Sequence, residues 1–160
     1  METARELLVH ELNDMLDAER NILEALQEQS QESNRSEMQK LLESHHAQTE
    51  KQVERLEQCL EELGEEPEEQ ECHGIRGIIQ EHEAFKQEDP SEEMLEIFNT
   101  GAAAKVEHYE IAAYTSLINM CRQLGLKKAE RLLNQSLKEE QQMLKRVEAL
   151  SKKLKPSQTG

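Results

Sequence analysis

Five side chains with metal-ligating chemistry sit where apolar residues are expected. Glu19 lies four residues after Met15 and three before Ile22, and Leu12 and Leu26 share its face. His45 follows Leu41 and Leu42, and Thr49, Val53 and Leu56 continue that stripe. In KVEHYEIAAY, Glu107 and Glu110 are three apart and share a face with Ala103, Tyr114 and Leu117, whereas His108 points about 100° away. Glu140 stands on the line Leu133, Ser136, Met143, Val147, with Glu139 turned outward. A charged group on an apolar stripe is costly unless it is paired, hydrogen-bonded or bound to a metal.

Four carboxylates converging in a core cannot all stay anionic, because burial and mutual repulsion raise their pKa values. Two divalent cations would neutralise them. Carboxylates with one imidazole suit iron or manganese, and such sites lie between the helices of bundles. A plainer reading stands beside this one. Glutamate is abundant here, Arg20, Arg55 and Arg122 are available to pair with some of these residues at the bundle ends, and a histidine on an apolar face is more often a hydrogen-bonded core residue. Tyr109 and Tyr114 are near enough in sequence to donate a hydrogen bond or an electron, or to cap the core.

The elements that must position these residues are helices. Leu, Glu, Gln, Lys and Ala dominate, while Val, Thr and aromatics are scarce. The apolar period predicts a first helix over Ala4 to Gln29, then a polar turn over Ser30 to Ser36, with Ser36 and Gln39 as a capping box. A second helix runs from Glu37 to Leu63 and is stopped by Gly64 and Pro67. GEEPEEQE reads as a solvated loop, and Cys72 to Phe85 as a shorter amphipathic helix. Asp89-Pro90-Ser91 makes a break. Ser91 opens a third long helix, which contains Gly101 and ends at Gly125. A fourth runs from Leu126 to Leu154, and residues 155–160 form a frayed tail.

The connections set the topology. Helices one and two form a hairpin, as do three and four. The two hairpins are joined by about 25 residues, far more than a usual connection. The expected fold is therefore all-α: a ferritin-like four-helix bundle of two antiparallel helical hairpins, with a long crossover containing a short helix, as one domain over residues 1–154.

Composition bounds the function. Hydrophobic residues at 36% and charged residues at 33% fit a folded domain with a heavily solvated surface. A net charge of -15 repels phosphate backbones, so no nucleic acid is expected as a partner. No stretch approaches a membrane span, and the N-terminus is charged within its first six residues. Cys59, Cys72 and Cys121 form no CxxC pair, so a reduced, cytoplasmic setting is expected. No Gly-rich phosphate loop or haem attachment motif is present.

Several segments together resemble the YciE/YciF family: DAERNILEAL, HHAQTEKQVERLE, CHGIRGII, AAKVEHYEIAAYTSL with the following QLG, and LLNQSLKEE. The resemblance spans nearly the whole chain. It implies a ferritin-like bundle, a homodimer and an association with bacterial stress. Carried over by position, it implies metal ligands at Glu19, His45, Glu107, Glu110 and Glu140. Glu107 or Glu110 would bridge two iron or manganese ions, and His45 would be a terminal ligand. Gln48 stands where the family tends to have a carboxylate, and Met143 where many ferritin-like enzymes have a histidine. The expected activity is ferroxidase- or peroxidase-like. The alternative is a non-enzymatic stress protein that acts through partners.

Overall fold

The structure, a computed structural model, describes residues 1–32 and 36–154. These residues contain five helices: α1 (Ala4–Glu32), α2 (Ser36–Glu62), α3 (His73–Lys86), α4 (Glu92–Leu124) and α5 (Lys127–Ser151). Helix α1 continues into the predicted turn, because Ser30 is absorbed by donating its hydroxyl to the Gln27 carbonyl at 2.9 Å. The Ser36 side chain, on which the Ser36–Gln39 capping box depends, and the tail 155–160 lie outside what the structure describes.

The predicted stops and starts have clear physical causes. Gly64 takes φ +73 and lets the Glu65 amide reach back to the Leu60 carbonyl at 3.0 Å, closing α2. Gly125 does the same for α4 with φ +74. The Ser91 hydroxyl accepts from the Met94 amide at 3.4 Å and caps α4. Helix α5 has no such local cap at Leu126. Instead, the Glu62 carboxylate accepts from the Ala129 amide at 2.7 Å, so the end of α2 completes the start of α5.

Helix α1 packs on α2, α2 on α5, α5 on α4, and α4 back on α1, while α3 lies across α1 and α4. The contacts Glu37–Lys153, Ser44–Arg146, Gln52–Glu140 and Glu62–Ala129 run in opposite directions along α2 and α5, which are thus antiparallel. With the two hairpins also antiparallel, α4 runs opposite to α1. This is the ferritin-like arrangement expected from the sequence.

Helix α1 also holds the crossover in place. Asn13 Oδ1 accepts from the Glu68 amide at 2.9 Å, and Asp17 accepts from the Cys72 amide at 2.8 Å and from Arg76 at 2.9 Å. Gly74 lies under the Tyr109 ring so closely that a Cβ there would sit 2.4 Å from Cε2. Leu8, Leu12, Leu56, Leu60, Leu117 and Leu133 are fully buried and fill one half of the bundle. Among the described residues, no helix is long and apolar enough to cross a membrane.

Candidate metal centre

Each of the four long helices carries at least one buried side chain with metal-ligating chemistry at mid-length, because each places that residue on its inward stripe. Glu19, Glu107 and Glu110 have no exposed surface, Glu140 is 1% exposed and His45 is 6% exposed. His45, Glu107, Glu110 and Glu140 each offer a ligand atom within 4.8 Å of the others. His45 Nδ1 lies 3.5 Å from Glu107 Oε1, and Nε2 lies 3.8 Å from Glu140 Oε2. Glu19 falls outside this tightest group. Its Oε1 accepts from the Tyr114 hydroxyl, and its electrostatic neighbours are Glu140 and Glu110.

The hydrogen bonding of the core is incomplete at this level of the bundle. Among the described residues, every buried side-chain N or O without a hydrogen-bond partner belongs to this layer. These atoms include both carboxylate oxygens of Glu107 and of Glu110, one oxygen each of Glu19 and Glu140, and His45 Nε2. Buried polar atoms normally find partners, so a convergent orphaned set fits a bound cation.

The electrostatics agree. Burial, then repulsion from Glu140, pushes the Glu19 carboxyl up to about 8. Burial, with Glu140 adding to it, pushes Glu107 up to about 11. Burial also drives Glu110 and Glu140 upward. For Glu140, the adjacent Glu107 carboxyl and the Gln52 amide oppose that rise. Burial lowers His45 to about 4, leaving a neutral imidazole with lone-pair donors, the form a metal takes.

The arginines take other partners. Arg20 pairs with Glu57 at 3.0 Å, Arg55 with Glu139 at 2.6 Å and Arg122 with Glu130 at 2.9 Å. None of these pairs involves an inward glutamate. His108 is exposed, as its offset predicts. Tyr114 is the tyrosine at the centre. Tyr109 instead points to the crossover, with its hydroxyl 3.1 Å from Cys72 Sγ and 3.5 Å from Asp14 Oδ2.

One residue of the site is not evident from the apolar stripes. Gln52 is fully buried and donates its amide to both Glu140 Oε1 and Glu139 Oε2. The inward line of α2 is His45, Thr49, Gln52, Leu56, and Val53 lies half-buried at its edge. Gln48 is half-buried and lies outside the ligand group. The signal for Gln52 is the heptad spacing 45, 49, 52, 56.

Residues 3–159 match the family described as "Domain of unknown function (DUF892)". Protein YciF of Escherichia coli (strain K12) is 31% identical over 141 residues, covering 88% of this chain and 85% of YciF. The crystal structure of the E. coli stress protein YciF superposes with a TM-score of 0.89 at 29% identity, covering 94% of this chain and 96% of that one. YcfI from Rhodopseudomonas palustris, a proposed structural protein, gives 0.88 at 33% identity, covering 92% and 94%. A Xanthomonas campestris protein gives 0.76 at 19% identity over 94% and 92%, which speaks to the fold alone.

Proposed function

The chain belongs to the DUF892 family and is a relative of YciF, and from that premise we propose that it holds a carboxylate-rich dinuclear iron or manganese centre that acts on peroxide or dioxygen. The ligands are Glu19, His45, Glu107, Glu110 and Glu140. One observation carries this reading: His45, Glu107, Glu110 and Glu140 approach within 4.8 Å while their buried polar atoms lack partners.

Such ions, when bound, supply Lewis acidity and electrons to an oxidant in contact with them. The chain's own residues do the rest. Four rigid helices fix the donor atoms from four directions. Tyr114 holds one oxygen of Glu19 and leaves Oε2 turned to the layer. Gln52 donates to Glu140 Oε1, which orients that carboxyl and opposes the burial-driven rise of its pKa. Leu12, Met15 and Leu56, all buried, keep water away from one side. A stress association, a homodimer and a cytoplasmic setting belong to the same reading.

Metal quantification on protein purified without chelator tests it. We expect near-stoichiometric iron or manganese, lost in Glu110→Ala with helical circular dichroism retained. Unchanged metal content in that variant would sink the site. The rival reading, a non-enzymatic bundle acting through partners, is favoured by one feature: α2 brings Thr49 and Gln52 inward where a further carboxylate would complete the ligand set. Metal-free protein from iron- and manganese-replete cells would establish that reading instead.

A further inference from the structure

The half of the bundle on the far side of the metal layer is packed differently from the leucine-filled half. A cavity of about 900 Å³ opens there between all five helices. Its walls include Leu41, Ile78, Ile79, Val106 and Leu150, each left half-buried. Such a void is the size of a small-molecule site, whereas ordinary packing leaves gaps no larger than a water. Peroxide or dioxygen alone needs far less room.

Two observations say what the cavity accepts. His45 lines it and also stands in the ligand group, so the wall of the cavity is the edge of the centre. The mouth carries the exposed carboxylates Glu24, Glu28 and Glu92 on a chain of net charge -15. That field repels anions although Lys86 also lines the cavity, and the walls, which are mostly apolar with His82, Asn99 and Thr100 among them, penalise a desolvated cation.

We propose that this cavity is a binding chamber for an uncharged, apolar small molecule, which it seats against His45 as the organic substrate of the centre. The chamber stands on its own geometry, and its link to catalysis rests on the proposed metal centre. Val106 and Ala103 line the α4 wall one turn and less before Glu107, so a ligand there touches the helix that carries two ligands.

The test uses the full chain and two dyes, neutral Nile red and anionic anilinonaphthalene sulfonate, with manganese(II) titration of the same protein in parallel. We expect saturable Nile red fluorescence, at least tenfold weaker binding of the anionic dye, and loss of Nile red binding in Ala103→Phe. Val106→Phe serves in its place if Ala103→Phe loses its helical circular dichroism. Manganese binding without saturable Nile red binding overturns the chamber and leaves the centre standing. Nile red binding without manganese binding supports the chamber and removes its catalytic role. Equal binding of the two dyes overturns the charge selection. Nile red binding that disappears as protein concentration rises into a dimeric range shows a second copy seated there, and overturns the proposal too.

Discussion

Arg55 clasps Glu139 bidentately, Nη1 to Oε2 at 2.6 Å and Nη2 to Oε1 at 2.9 Å, so the carboxylate next in sequence to Glu140 is neutralised outside the buried layer. Gln52 bridges the two, donating to both glutamates. Arg55, Glu139, Gln52 and Glu140 therefore form one chain from half-exposed surface to core. Gln52→Leu keeps the shape of the site and removes the donor. We expect about 10- to 100-fold weaker metal binding, the usual cost of losing a ligand's outer partner, measured by chelator competition. Unaltered affinity would show that Glu140 needs no such support.

The raised carboxyls set a pH dependence for the metal-free protein. An acid whose pKa is higher folded than unfolded binds more protons in the folded state. Its contribution is fully present below the ordinary value of 4.5 and is lost as pH rises through the folded value. For Glu19 that window runs from 4.5 to about 8. Urea midpoints measured in chelator should therefore fall from pH 5 to pH 8. Manganese should flatten the slope, because bound cations replace the protons. A midpoint that rises over that range would contradict the burial of these groups.

Glu107→Leu follows from the same account. It removes a buried carboxyl that has no hydrogen-bond partner and keeps the volume apolar. Metal-free Glu107→Leu should be more stable than the parent at pH 8, by about 1–4 kcal/mol. The gain should shrink toward pH 5, and stabilisation by manganese should vanish. Calorimetry with and without metal checks both parts.

Tyr114→Phe strips the Glu19 oxygen of its donor inside a fully buried setting. The expected loss is about 1–3 kcal/mol of stability in the metal-free protein, read by urea unfolding. The Tyr114 bond also lowers the pKa of Glu19, so its removal should extend the pH slope above pH 8.

Two glycines of α3 give a paired test of the crossover. Gly74→Ala drives a methyl into the Tyr109 ring and should cost about 1–3 kcal/mol. At Gly77 a Cβ would meet nothing within 4 Å, so Gly77→Ala should stabilise by up to about 1 kcal/mol through helix propensity. Equal effects of the two in denaturant titrations would mean α3 does not dock as described.

The helices, their stops and the inward acids are legible in the sequence because a helical period and capping chemistry are local. Glu19, Glu107, Glu110 and Glu140 announce themselves by interrupting apolar stripes. Gln52 does not, because choosing Val53 after Thr49 follows a straight i+4 line, whereas the packed face follows the supercoiled alternation of four and three. The arginine partners, the Gly74–Tyr109 contact and the cavity depend on which helix faces which and how far their ends part. Those are properties of the assembled bundle and leave no periodic trace in the chain.

The bond from Glu62 to the Ala129 amide links positions 67 apart in the chain. It means that the last helix receives its first-turn acceptor only once the opening hairpin is in position. Docking of the second hairpin on the first is thereby favoured, and a mispaired arrangement leaves that amide without its carboxylate. One side chain at the junction thus couples the pairing of the two hairpins to the start of the last helix.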